Sequence, residues 1–228
     1  MDKGGWVHDN AELMGGDPSK ITIFGESAGA VSVGYHLLSP RSMHLINNAI
    51  MMSGSPTVSW GVQDRVLAMD RSKKLARSVS CPTSSHAGMM DCLRSADPLE
   101  LVTKQWDLIS SFFDVPIGPV VDGTFLTDHP AELLARRQIK NTSVIAGVVH
   151  DEGTFWLLYG FSKVFGRQDP NPINASQFES VVEGVLKPFG AAYQDELVKK
   201  LTTIQYYDSV PPSERTPNMY LDVLDDIR

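Results

Sequence analysis

Short apolar runs separated by helical patterns predict the strands of an α/β fold. Residues 21–24, 48–52 and 143–149 have the length and composition of buried β-strands. Residues 28–38 are small and apolar and predict a helix, while residues 63–79 predict an amphipathic helix with its charges on one side. An earlier helical segment, residues 6–14, ends at Gly15-Gly16-Asp17-Pro18. Helices that lie between strands are typical of a mostly parallel sheet with flanking helices.

The turn between the first strand and its helix reads Gly25-Glu26-Ser27-Ala28-Gly29, which is a Gly-x-Ser-x-Gly pattern. A nucleophile on such a sharp strand-to-helix turn has a strained backbone and needs small flanking residues. This geometry would expose the Ser27 oxygen at the carboxyl end of the sheet, where the N–H of Ala28 could stabilise an oxyanion. The alternative is a turn serine that merely caps the helix.

A serine nucleophile needs a histidine to take its proton and a carboxylate to orient that histidine. On this type of turn the chain order is serine, carboxylate, histidine. Glu152 directly follows the third predicted strand, and Asp151 is its rival on sequence alone. The histidine nearest the end of the sequence is His150, so none follows Glu152. We therefore expect these 228 residues by themselves to be inactive.

The composition fits one soluble globular domain and excludes several classes of partner. The chain has 228 residues, 42% of them hydrophobic, with a net charge of -7 and a pI near 5.3. The negative charge argues against nucleic acid and anionic membranes and weakly favours a cationic ligand. No apolar run is long enough to span a bilayer, and no signal-peptide core follows Met1. We expect any membrane attachment or oligomerisation to depend on tails outside this sequence.

The cysteines and two glycosylation triplets bear on the cellular compartment. Cys81 and Cys92 are too few for a metal site, and their spacing allows either one small disulfide loop or two free thiols. Asn141 and Asn174 begin Asn-x-Ser triplets, which matter only in a secreted protein. Together, the cysteines and the triplets favour an oxidising, secretory compartment.

Several segments carry a resemblance to one known family. They are residues 24–30 (FGESAGA), 38–42 (LSPRS), 53–56 (SGSP), 119–123 (PVVDG), 151–155 (DEGTF) and 157–160 (LLYG). The chain resembles the central part of the type-B carboxylesterases, and among them the cholinesterases, most closely those of the acetylcholinesterase type in invertebrates. The resemblance implies the α/β-hydrolase fold, with residues 1–228 forming part of a single domain that is truncated at both ends.

The resemblance also assigns the catalytic groups. It implies that Ser27 is the nucleophile, Glu152 the triad acid and Ala28 an oxyanion donor. It pairs Cys81 with Cys92 as a disulfide, and it implies a glycoprotein that is secreted or held at the extracellular cell surface. The family requires no metal and no organic cofactor.

The resemblance further implies a substrate-binding gorge. Its positions are Glu26, Trp60, Phe113, Val115, Phe155, Trp156 and Tyr159, with Trp106 at the gorge rim. Aromatic faces attract quaternary ammonium groups, although ordinary core packing would also explain each ring. Val115 is smaller than the residue common in vertebrate relatives and would leave room for longer acyl chains. The resemblance thus implies a small ester substrate, cationic in character, namely acetylcholine or a related choline ester hydrolysed through an acyl-serine. The rival hypotheses are a broad-specificity carboxylesterase and a non-catalytic adhesion protein related to neuroligins.

Overall fold

The chain divides into two compact units, seen in a computed structural model. The first unit comprises Met1–Ile109 and Val115–Val148, and the second comprises Ser110–Asp114 and Val149–Arg228. The structure describes residues 3–110, 114–150, 152–161, 174–187, 196–203, 205, 209–211 and 213.

A parallel sheet forms the centre of the first unit. Its described strands are β1 (Thr22–Glu26), β2 (Asn48–Met52) and β3 (Ser143–Gly147), in the order β1-β2-β3. Asn48 lies opposite Thr22 on one side and opposite Ser143 on the other. All the strands run in the same direction, so their carboxyl ends share one edge. The predicted parallel sheet is confirmed.

The first unit contains helices before and after the strands, and those predicted over residues 28–38 and 63–79 are present, whereas the segment predicted over residues 6–14 divides into a helix that ends at Asn10 and a 3-10 turn. The helices are α1 (Lys3–Asn10), α2 (Ala28–Leu38), α3 (Arg65–Ser78), α4 (His86–Ser95), α5 (Pro98–Lys104) and α6 (Pro130–Ala135). Shorter 3-10 turns span Glu12–Met14, Pro18–Lys20, Met43–Leu45 and Gln105–Leu108. Side-chain caps set several of the starts: Asp64 accepts the backbone N–H of Val66 at 2.7 Å, and Ser85 accepts that of Gly88 at 3.0 Å.

Helix α2 is apolar on two sides because it is packed on two sides. One face buries Val33 and Leu37 with Ile46 and Ala49, against the strands β1 and β2. The opposite face packs Val31, Tyr35 and Leu38 against Leu126 and Leu133. A helix that is hydrophobic around most of its circumference belongs in a core. Ser27 is therefore followed directly by a helix that packs on two faces.

A disulfide joins the end of α3 to α4. Cys81 and Cys92 are bonded, with 5.7 Å between their Cα atoms. Cys81 is buried in a small cluster with Ala76 and Met89. Of the two states that the spacing leaves open, the structure has the disulfide.

We expect reduction of this disulfide to destabilise the first unit by roughly 2–4 kcal/mol, because the bond restricts the unfolded chain. Urea denaturation of the oxidised protein and of the Cys81→Ala/Cys92→Ala double variant measures the difference. Peptide mapping without reduction supplies the control. Recovery of both cysteines as free thiols from secreted protein would contradict the pairing.

The described secondary-structure elements of the second unit are helices. It contains α7 (Gly153–Gly160), α8 (Ala175–Leu186) and α9 (Glu196–Thr203). Asn174 and Gln177 form a capping box at the start of α8, each side chain accepting the other's backbone N–H at 3.0 Å. The buried side chains of α8 are Phe178, Val181, Val182, Val185 and Leu186. The insertion loop predicted over residues 161–174 lies mostly outside the described residues.

Candidate active site

Ser27 occupies a strained turn between β1 and α2. Its backbone has φ 53° and ψ -119°, a conformation that costs a residue with a side chain about 1–3 kcal/mol. A Cβ atom at position 25 would lie 2.4 Å from the backbone carbon and oxygen of Gly29, so Gly25 has to be glycine. The predicted sharp turn is confirmed, and strain of this kind is typical of functional sites.

Backbone hydrogen bonds hold this turn at the carboxyl edge of the sheet. The N–H of Ser27 donates to the Met52 carbonyl at 2.8 Å, and its own carbonyl accepts the N–H of Val31 at 3.1 Å. Within the described residues, the Ser27 side chain makes no capping hydrogen bond to α2. The interpretation of Ser27 as a simple helix cap is therefore wrong.

Ala28 is the first residue of α2 and is exposed. Ser27, which precedes it, is half-buried. Backbone N–H groups in the first turn of a helix have no partner within the helix, and the helix dipole makes this end partly positive. The position can therefore stabilise a negatively charged oxygen. Glu26, the last residue of β1, is exposed on the other side of the serine.

A pocket of about 440 Å³ lies beside this turn, entirely within the first unit. Its lining residues are Ala28, Val31, Ser32, Tyr35, Trp60, Gly61, Val115, Ile117, Gly118, Pro119, Val120, Asp122, Phe125 and Leu126. The structure thus brings together three site residues predicted from separate segments: Ala28, Trp60 and Val115. Trp60 also packs against the core cluster that contains Val31 and Leu126, so its binding role and that of Val115 stay predictions.

Two buried polar side chains fix the segment that carries Val115. The backbone carbonyl of Val115 accepts hydrogen bonds from the Gln63 side-chain amide at 2.9 Å and from the Arg71 guanidinium at 2.5 Å. Arg71 is only 4% exposed and Gln63 only 8%. The amphipathic pattern over residues 63–79, with its charges on one side, gives no sign that Gln63 and Arg71 are buried. A buried arginine on that helix is the exception that positions the pocket wall.

Asp122 organises another part of the pocket wall. Its carboxylate accepts backbone N–H groups from Thr124, Phe125 and Leu126 at 2.9, 2.8 and 3.0 Å. These bonds, the one from Thr124 foremost, hold the pKa of Asp122 below its ordinary value of 3.8. Gly123, with φ +74°, completes the turn. The motif at residues 119–123 therefore shapes the pocket through its backbone.

Glu152 belongs to the second unit, in the turn that precedes α7. One of its carboxylate oxygens accepts the N–H of Val149 at 3.0 Å, and the side chain is half-buried. This bond fixes the carboxylate close to the chain that follows β3. Its rival Asp151 lies outside the described residues, as does the predicted site residue Phe113.

The aromatic residues of α7 form one cluster. The ring of Phe155 lies 5.4 Å from Trp156, edge to face, and 4.7 Å from Tyr159. Phe155 is 57% exposed and Tyr159 is 66% exposed. Trp106, on the 3-10 turn of the first unit, is 60% exposed. These three rings therefore have accessible faces within this chain, and their binding roles stay predictions.

Further predictions concern the surface of the chain. Asn141 and Asn174 are both exposed, and Asn174 also caps α8. Glycosylation of either asparagine stays a prediction.

In the described ranges, no helix has the length and apolar character that crossing a membrane requires. Those same residues contain no group of three or more histidine, cysteine or acidic side chains arranged to hold a metal.

Comparison with known proteins identifies relatives over almost the whole chain. The profile of the carboxylesterase family matches residues 5–227. A cholinesterase of Mus musculus is 38% identical over 224 residues, covering 97% of this chain and 36% of the relative. The acetylcholinesterases of Danio rerio and Bungarus fasciatus are 36% and 34% identical, again over 97% of this chain and over 34% and 36% of the relatives. The chain therefore spans about a third of the length of these relatives.

Proposed function

Because the chain belongs to the carboxylesterase family, whose fold is that of the α/β-hydrolases, we propose that it is the central part of a single serine ester hydrolase domain. The observation that supports this best is the strained turn that presents Ser27 next to the N-terminus of α2. We assign Ser27 as the nucleophile and Ala28 as one oxyanion donor. Glu152 orients the histidine base, which a longer protein supplies from outside these 228 residues.

The proposed reaction proceeds through an acyl-serine intermediate. The histidine takes the hydroxyl proton as Ser27 attacks the ester carbonyl, and the resulting oxyanion receives the N–H of Ala28. Collapse of this tetrahedral oxyanion breaks the ester C–O bond and leaves the acyl-serine. The histidine gives its proton to the leaving alcohol. Water then attacks the acyl-serine by the same route and releases the carboxylic acid. No cofactor takes part in these steps.

We further propose that the alcohol portion of the substrate is cationic, as in choline esters. The net charge of -7 and the exposed carboxylate of Glu26 favour a positive ligand. The exposed aromatic cluster of Phe155, Trp156 and Tyr159 offers ring faces to a quaternary ammonium group. The names of the relatives, acetylcholinesterase and cholinesterase, point to the same class of ester.

We assign the pocket beside Ala28 to the acyl group of the ester, with Trp60 and Val115 in its wall. Phe113 would be a further acyl-pocket position. A volume of about 440 Å³ exceeds what an acetyl group needs and accommodates longer acyl chains. The disulfide of Cys81 and Cys92 supports a secreted or cell-surface location, because such bonds persist in oxidising compartments.

The cation proposal is tested with a longer protein that carries this sequence and a histidine base. We expect kcat/KM for acetylcholine to exceed that for its neutral isostere, 3,3-dimethylbutyl acetate, by about tenfold, as one good cation–π site provides. Ser27→Ala is the matched inactive control. Equal values for the two esters would favour a broad carboxylesterase. Absence of turnover with both esters would favour the adhesion protein.

A further inference from the structure

One short segment, residues 115–120, supplies much of the wall of the pocket beside Ala28. Its lining members are Val115, Ile117, Gly118, Pro119 and Val120. Residues 115–119 belong to no helix or strand, and Val120 forms an isolated parallel bridge to Gln63. The position of this segment therefore depends on contacts from other parts of the chain, because it has no ladder of backbone hydrogen bonds within the described structure.

Gln63 holds the segment at both of its ends. The side-chain amide of Gln63 donates to the Val115 carbonyl at 2.9 Å, and its backbone N–H donates to the Pro119 carbonyl at 2.8 Å. A Cβ atom at position 118 would lie 3.3 Å from the Cγ atom of Gln63, so the middle of the segment packs directly on this side chain.

Arg71, on helix α3, holds the same Val115 carbonyl with a charged donor. Its guanidinium donates to that oxygen at 2.5 Å and is only 4% exposed. Removing a guanidinium from water is costly, whereas the hydrogen bond that it then makes is stronger than one from a neutral donor. Neither Arg71 nor Gln63 belongs to the pocket lining, so both hold the wall from behind.

A fixed wall matters more to a long acyl chain than to a short one. The pocket of about 440 Å³ exceeds what an acetyl group needs, so an acetyl group bound beside Ala28 contacts a small part of the wall. A longer chain contacts more of it. Binding against a mobile wall requires that wall to become ordered, and a wall that is already fixed avoids this loss of affinity.

We propose that Arg71 and Gln63 are positioning residues that favour esters with medium-length acyl chains, such as butanoyl and hexanoyl, by fixing the segment over residues 115–120. The inference rests on the assignment of this pocket to the acyl group in the proposed function. It attributes selectivity for acyl-chain length to two side chains that do not touch the substrate.

Binding to the 228-residue chain tests this inference without requiring catalysis. Methyl hexanoate and methyl propanoate carry a long and a short acyl chain on the same alcohol, and ligand-observed NMR gives a Kd for each. We expect Arg71→Met to lower the preference for hexanoate about fivefold, while the Kd of propanoate changes less than about twofold. Gln63→Leu should lower the preference in the same direction.

Each of these variants leaves one side-chain donor on the Val115 carbonyl, and circular dichroism checks that each is folded. If Arg71→Met does not fold, Gln63→Leu decides the test. Arg65→Met is the matched control, because Arg65 is exposed on the same helix and lies outside the pocket lining. It should leave the preference unchanged, and Arg71→Lys should restore part of it by keeping a charged donor.

Three results would overturn the inference. They are an unchanged preference in both Arg71→Met and Gln63→Leu, an equal fall in Arg65→Met, and a parallel loss of affinity for both esters. The last result would show a general structural role, because only a role in positioning the wall distinguishes the two chain lengths.

Hydrogen exchange reports on the wall itself. The backbone amides of residues 115–120 should exchange severalfold faster in Arg71→Met, whereas those of the three described strands should keep their rates. Equal exchange of residues 115–120 in the variant and the unmodified chain would show that Arg71 does not fix the wall.

Hydrolysis of butyrylcholine and acetylcholine by a longer, histidine-containing protein separates this inference from the proposed function. We expect Arg71→Met to lower kcat/KM for butyrylcholine more than for acetylcholine. Turnover of both esters with an unchanged ratio in this variant would refute the role of Arg71 and leave the esterase assignment standing. A changed preference in binding, with no turnover by the unmodified longer protein, would do the reverse.

Discussion

Replacing Glu152 with glutamine should lower kcat of the complete esterase by about four orders of magnitude, whereas replacing Asp151 with asparagine should have a far smaller effect. A carboxylate paired to the histidine keeps the imidazole in the correct tautomer and stabilises the imidazolium that forms during attack. Glutamine is nearly isosteric but carries no charge. Steady-state kinetics with acetylcholine, normalised to the number of reactive sites, measures both variants.

The matched pair of variants decides between the two carboxylates. Glu152 is half-buried and bonded to the Val149 N–H, so Glu152→Gln also removes the charge from that bond. Thermal unfolding therefore accompanies the kinetics, and an unchanged melting temperature assigns the loss to chemistry. Glu152→Asp should recover part of the rate because it restores the charge. Equal losses at both positions, or a larger loss for Asp151→Asn, would show that the acid is assigned wrongly.

The apolar runs predicted the centres of the elements better than their ends. The second strand and helix α2 have the predicted bounds. In α2, most apolar side chains are buried in one of two core clusters. The helix predicted from residue 63 begins at Arg65, because Asp64 caps it. The strand predicted over residues 143–149 ends at Gly147. Hydrophobic pattern reports burial, whereas single polar side chains set the boundaries.

The pocket could not be predicted from local pattern, because distant segments form it. The resemblance supplied Trp60 and Val115, and both residues line this pocket. Gln63 and Arg71 hold the Val115 carbonyl through hydrogen bonds across 52 and 44 residues. Hydrogen bonds between such distant residues produce no periodic pattern in the sequence.

The 228 residues expressed alone should show no esterase activity above background and no stoichiometric reaction of Ser27 with an organophosphate. The nucleophile turn is complete, but His150 is the last histidine and precedes the proposed acid. Without a positioned base the serine hydroxyl remains a weak nucleophile. Ala28 is also the one oxyanion donor that we assign within this chain, and a missing donor costs about a hundredfold to a thousandfold in rate.

An organophosphate with a fluorescent reporter group tests this prediction, because it reports attack by Ser27 without requiring deacylation. The chain, its Ser27→Ala variant and its His150→Ala variant are incubated with the reagent, and intact-mass spectrometry counts the adducts. Circular dichroism confirms that each protein is folded. We expect the same low labelling in all three proteins. Stoichiometric labelling that Ser27→Ala abolishes would contradict the prediction. Its additional loss in His150→Ala would identify His150 as the base that acts in place of a later histidine.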